Sequence, residues 1–77
     1  MIIYMHFNDH NPAHFHAKYG NFKVIIAIDN LAIIEGKMPP KALALVMEWA
    51  SIHKKELLNN WNKIIKTGQF NKIKPLE

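Results

Sequence analysis

His14-Phe15-His16-Ala17-Lys18-Tyr19-Gly20-Asn21-Phe22-Lys23-Val24-Ile25-Ile26-Ala27-Ile28 carries two strand-like runs around a tight turn. Gly20-Asn21 is a two-residue hairpin signal, because glycine takes positive φ without steric cost. Folding the chain about it sets Tyr19 against Phe22, Ala17 against Val24 and Phe15 against Ile26. Side chains alternate along a strand, so all six lie on one apolar face. The opposite face then carries His14, His16 and Lys18, with Lys18 across from Lys23. Like charges directly opposed on neighbouring strands repel unless they are solvated or hold an anion.

Upstream, Ile2-Ile3-Tyr4-Met5-His6-Phe7-Asn8 is β-branched and aromatic and reads as a strand over about residues 2–8. Asn8-Asp9-His10-Asn11-Pro12-Ala13 is a turn, in which Asn and Asp bond their own backbone. Strand parity puts Ile3, Met5 and Phe7 on the apolar side. A register with His6 opposite His16 and Tyr4 opposite Lys18 also sets Met5 against Ala17 and Phe7 against Phe15. Tyr4, His6, His14, His16 and Lys18 then form one cluster beside Asp9 and His10 in the turn.

Downstream, Asp29-Asn30 reads as a second tight turn, pairing Ile28 with Leu31 and Ile26 with Ile33, with a fourth strand over about 31–35. This leaves Ile25, Ala27 and Ile34 on the histidine side. A one-sided sheet in a lone chain is normally more polar there, so a partner, a second copy or a chain end is expected to cover it. Gly36 to Pro40 is a loop, and Pro39-Pro40 marks a helix start. Leu43, Val46, Ala50, His53, Leu57, Trp61 and Ile64 then recur at helical spacing, broadened by Leu45, Trp49, Ile52, Leu58 and Ile65. One helix of that length would run ~40 Å, more than four strands can cover. Two helices are therefore expected, about 40–52 and 54–67, broken near Ser51–Lys54 and stopped at Thr67-Gly68. The tail is expected to pack back through Phe70, Ile73 and Leu76.

Seventy-seven residues make one domain, and 49% of them are hydrophobic, enough to form a core. A chain this short still buries only about 60% of its unfolded surface. The absence of cysteine excludes disulfides and thiolate–zinc staples and suits a cytoplasmic protein. The apolar runs are too short to cross a bilayer, so no membrane partner is expected. A net charge of +4 is compatible with a nucleic-acid or acidic partner and equally with a solvated lysine-rich surface. The reading is an α+β domain: an antiparallel four-strand β-meander with a C-terminal pair of helices, or one bent helix, on its apolar face.

The chain resembles the bacterial domain-of-unknown-function 4160 family. The resemblance rests on Tyr4-Met5, Phe7-Asn8-Asp9-His10-Asn11-Pro12, His14-Phe15-His16-Ala17, Tyr19-Gly20 and Gly36-Lys37 with Pro39. It continues in Leu45-Val46, Glu48-Trp49, His53, Glu56-Leu57, Asn60-Trp61 and Ile73-Lys74-Pro75-Leu76. Ala13 departs from the family's usual second proline, and the family's further strand-like segment ahead of Ile2 is missing. Members are commonly found beside a small partner of the domain-of-unknown-function 2442 family, an arrangement like a toxin–antitoxin operon. The resemblance thus implies a bacterial module paired with a small cognate protein encoded nearby. It supplies no catalytic residues.

Three readings of the histidine stretch stand side by side. In the first, two of His6, His14 and His16 act as general acid and base on an RNA phosphodiester, Lys18 or Lys23 steadies the phosphate and Tyr4 positions it. Histidine suits this, since an unperturbed imidazole titrates near neutrality. In the second, Asp9, His10, His14 and His16 bind a divalent transition metal such as Zn, Ni or Mn through mixed nitrogen and oxygen ligands. Outside that reading no cofactor is expected. In the third, the histidines are hydrogen-bonded structural groups on a protein interface, with the cognate protein or a second copy of the chain as homo-oligomer. His53, within the helical stripe, reads as a packed, hydrogen-bonded residue. Trp49 and Trp61 read as core anchors.

Overall fold

The computed structural model describes residues 2–5 and 12–68 of the 77. Strand β1 (Ile2–Tyr4), β2 (His14–Tyr19), β3 (Phe22–Ala27) and β4 (Ile33–Lys37) precede helices α1 (Pro40–Ile52) and α2 (Lys54–Thr67). The strands form one antiparallel sheet in the order β1-β2-β3-β4. This is the expected α+β meander followed by two helices. The tail segment with Phe70, Ile73 and Leu76 lies outside the described residues.

The central hairpin closes as its sequence dictates. Tyr19 pairs with Phe22, Lys18 with Lys23, Ala17 with Val24 and Phe15 with Ile26. Phe15, Ala17, Val24 and Ile26 are fully buried on one face. Against them α1 lays Ala42, Val46, Trp49 and Ala50, while α2 adds Leu57 and Trp61. The Trp49 ring meets Phe15 edge-on, with centroids 6.3 Å apart. Each fully buried side chain of this size contributes roughly 1.5–3 kcal/mol, and a chain with little interior depends on every one of them.

Two registers depart from expectation. β1 pairs Ile2 with Lys18, Ile3 with Ala17 and Tyr4 with His16. Tyr4 therefore lies opposite His16 and not Lys18, a slip of two residues. A two-residue slip keeps every side chain on its own face, and so periodicity could not detect it. β1 ends at Tyr4 and Met5 lies outside the strand, while residues 6–8 of the expected strand are outside the described residues.

The second departure lies between β3 and β4. Residues 28–30 form the turn, and Leu31 takes a left-handed conformation at φ 55°. The Ala27 N–H bonds Ala32 O at 2.9 Å, and the Ala32 N–H bonds Asn30 Oδ1 at 3.1 Å. Ile28 thus does not pair with Leu31; its N–H donates instead to Ala13 O. β4 starts at Ile33, opposite Ile26 as expected, and runs to Lys37 instead of ending at Glu35. The ladder then slips by one residue: Ile25 pairs with Glu35, Val24 with Gly36 and Lys23 with Lys37. Ile34 is the extra residue of a β-bulge, which rotates everything after it to the other face. Glu35, not Ile34, consequently faces the histidine side beside Ile25. With Ile25 half-buried and Ala27 buried, the apolar surface expected on that side is largely gone.

The helices break at His53, between α1 and α2, at the expected place. Its N–H bonds Trp49 O, and its carbonyl accepts the Leu57 N–H, so both backbone groups of His53 are paired at the break. The His53 ring lies 5.2 Å from that of Trp49, and its Nδ1–H donates to Glu56 at 2.7 Å. Gly68 closes α2 with its N–H on Ile64 O. The buried stripe is narrower than its sequence suggests. Leu45, Ile52 and Ile65 are exposed, whereas Ala42 and the polar Asn60 are buried. No described helix is long and apolar enough to cross a membrane.

Candidate functional site

Alternation along β2 is what assembles the site. His14, His16 and Lys18 leave the sheet on the face opposite Phe15 and Ala17, and antiparallel pairing brings Tyr4 of β1 beside His16. The Tyr4 and His16 rings stack nearly parallel, 11° apart, with centroids at 4.9 Å. His16 meets His14 at 5.3 Å in an edge-on arrangement. His14 in turn meets the indole of Trp61 at 5.0 Å. Four rings thus touch in sequence, from Tyr4 at the sheet edge to Trp61 on α2.

The orientation of His14 has a definite cause. Its Nδ1 lies 2.8 Å from the carbonyl oxygen of Pro12. A carbonyl only accepts, so Nδ1 carries the hydrogen and Nε2 of the neutral ring carries the basic lone pair. Pro12 suits this role because its fixed φ holds the chain just ahead of the strand, two residues from the ring it orients.

Charge collects at the other end of the same face. Lys18, Lys23 and Lys37 occupy adjacent positions on β2, β3 and β4 and are all exposed. The expected apposition of Lys18 and Lys23 is present, and the bulge adds Lys37 to it.

The structure therefore brings together Tyr4, His14, His16 and Lys18 of the expected cluster. His6, Asp9 and His10 lie outside the described residues. Among the described residues no group of three or more histidine, aspartate or glutamate side chains could hold a metal ion. His14 and His16 would supply two ligands of the proposed metal set; the other two, Asp9 and His10, are not described. Trp61 and Lys37 are the members that sequence reasoning missed. Helical spacing reads Trp61 first as a core anchor, and its reach to His14 depends on how α2 lies against the sheet. A signal for Lys37 did exist: an isolated glycine in a strand pattern often marks a bulge, and Gly36 precedes it.

The family model described as Domain of unknown function (DUF4160) matches residues 1–62. No curated protein and no solved structure matches the chain.

Proposed function

This chain belongs to the DUF4160 family, and we propose that it is a toxin–antitoxin-type module that pairs with a small cognate protein and acts on RNA. The working surface is the face carrying Tyr4, His14, His16 and Lys18. The observation that carries the proposal is the His14–His16 pair: two rings 5.3 Å apart on one face, with Nδ1 of His14 committed to Pro12. In the neutral ring that commitment leaves the lone pair on Nε2, which we assign as the base, with His16 as the neighbouring proton donor.

Such a pair suits transesterification of an RNA phosphodiester. His14 Nε2 takes the proton of the ribose 2′-hydroxyl, and the freed oxygen attacks phosphorus. The bond from phosphorus to the 5′ oxygen breaks, and His16 returns a proton to that leaving oxygen. The products are a 2′,3′-cyclic phosphate and a 5′-hydroxyl. Lys18 offsets the charge that builds on the phosphoryl oxygens, and Tyr4 holds the His16 ring by stacking. A positioned acid or base typically supplies about 10²–10⁴-fold in rate.

A second reading draws on the same ring contacts. Tyr4, His16, His14 and Trp61 support one another without any substrate, which suits a rigid surface for binding the cognate protein. Expression in a bacterial host separates the two. The protein alone is expected to arrest growth, and co-expression of the small neighbour is expected to relieve it. His14→Gln and His16→Gln should each remove the arrest while the folded protein accumulates and still binds the neighbour. Normal growth with the wild-type protein well expressed would count against the toxin reading. Variants that lose only the neighbour would establish the face as an interface.

A further inference from the structure

Lys18, Lys23 and Lys37 form one rung across three strands, paired Lys18 with Lys23 and Lys23 with Lys37. Neighbouring strands are ~4.8 Å apart, so the three stems rise from a line ~10 Å long. Directly opposed like charges disfavour the sheet, and here the repulsion occurs twice in one rung. Among the described residues none of the three has an ion-pair partner. Glu35, the nearest carboxylate in sequence on that face, is set two pairs away, opposite Ile25.

The rung exists only because of the bulge. With uninterrupted pairing from Ile26–Ile33, Lys23 would face Gly36, and Lys37 would fall on the opposite side. The extra residue Ile34 and the left-handed Gly36 (φ 86°) re-aim Lys37 to stand beside Lys23. A bulge often re-aims a side chain next to a working site. Lys18 is two residues from His16 along β2, a distance of ~6.6 Å, which places the rung beside the histidine pair.

We propose that Lys23 and Lys37 of this rung bind backbone phosphate of the RNA strand, next to the phosphate that Lys18 and the histidines hold. The proposal rests on the RNA reading given above and adds to it the residues that grip the strand. Three mobile ammonium groups on an exposed sheet face, with no base-reading side chain among them, bind phosphate without regard to sequence. Selectivity for sequence therefore does not arise at the rung.

Two measurements test it. In the first, binding of a fluorescein-labelled single-stranded RNA is followed by anisotropy over a series of KCl concentrations. Lys23→Gln and Lys37→Gln are each expected to lower the slope of log affinity against log salt by about 0.7, the value for one phosphate contact on a single strand. Lys55→Gln, an exposed lysine on α2, should leave the slope unchanged. In the second, inorganic tripolyphosphate is expected to raise the melting temperature of the wild type but not of the Lys23→Gln, Lys37→Gln double variant. If tripolyphosphate stabilises through these lysines but RNA does not bind, the phosphate rung stands and the RNA reading fails. If RNA binds and both rung variants behave like Lys55→Gln, the rung is overturned. No response to either probe overturns both.

Discussion

Gly36→Ala is expected to cost about 2–5 kcal/mol. Two effects add. Holding an L-residue in the left-handed region costs roughly 1–2 kcal/mol, and Gly36 has φ 86°. An added Cβ would also lie 2.3 Å from the backbone oxygen of Lys23, which cannot rotate away as a side chain could. Relieving that clash means separating β3 from β4, and forced overpacking typically costs a further 1–3 kcal/mol. Gly20 supplies the control. It too is left-handed, at φ 58°, but a Cβ there meets nothing within 4 Å. Gly20→Ala should therefore show the conformational cost alone, about 1–2 kcal/mol. Urea unfolding of the two variants reads the difference directly. Equal losses would mean that Gly36 does not approach Lys23 as described, and the lysine rung would lose its cause.

Trp61→Ala is the second large effect, expected at about 3–5 kcal/mol. The indole is 3% exposed, joins the core shared by the sheet and α1, and packs on the His14 ring at 5.0 Å. Small domains have total stabilities near the lower end of ~5–15 kcal/mol, so the variant should be largely unfolded under mild denaturing conditions. Trp61→Phe keeps an aromatic ring against His14 and should retain most of the stability. Ile52→Ala is the contrast. Ile52 belongs to the same apolar stripe in the sequence but is 70% exposed, and its loss should fall within about 0.5 kcal/mol. Chemical unfolding followed by circular dichroism orders the three. A Trp61→Ala loss no greater than that of Ile52→Ala would contradict the packing described for α2.

Local rules made most of the fold legible. The Gly20-Asn21 turn and the alternation on either side of it determine which residues of β2 and β3 are buried, and those pairs form as read. The helix break at His53 was legible because a continuous helix would overrun the sheet. What escaped were features that local patterns cannot distinguish. A two-residue slip of β1 conserves every face, so the partner of Tyr4 changes from Lys18 to His16 with no trace in periodicity. A bulge does the opposite: one added residue reverses the faces of Glu35, Gly36 and Lys37. Ile33 and Ile34 are equally strand-like, and nothing in their side chains says which one is extra. Leu45 and Trp49 likewise share one stripe in sequence, and only the position of the sheet decides that Trp49 is buried.

The site followed the same division. That His14, His16 and Lys18 share a face follows from parity alone. That His14 is oriented by Pro12 and walled by Trp61 depends on the exact path of the chain before β2 and on the placement of α2. These contacts commit Nδ1 of His14 and fix its ring beside that of His16, and on that pair the proposed chemistry depends.

The most direct measurement is incubation of the purified protein with a labelled single-stranded RNA, followed by analysis of the ends produced. Fragments with 2′,3′-cyclic phosphate and 5′-hydroxyl ends are expected, formed about 10²-fold or more slowly by folded His14→Gln and His16→Gln proteins. RNA left intact by the wild type, or cut as fast by both variants, would contradict the proposed chemistry.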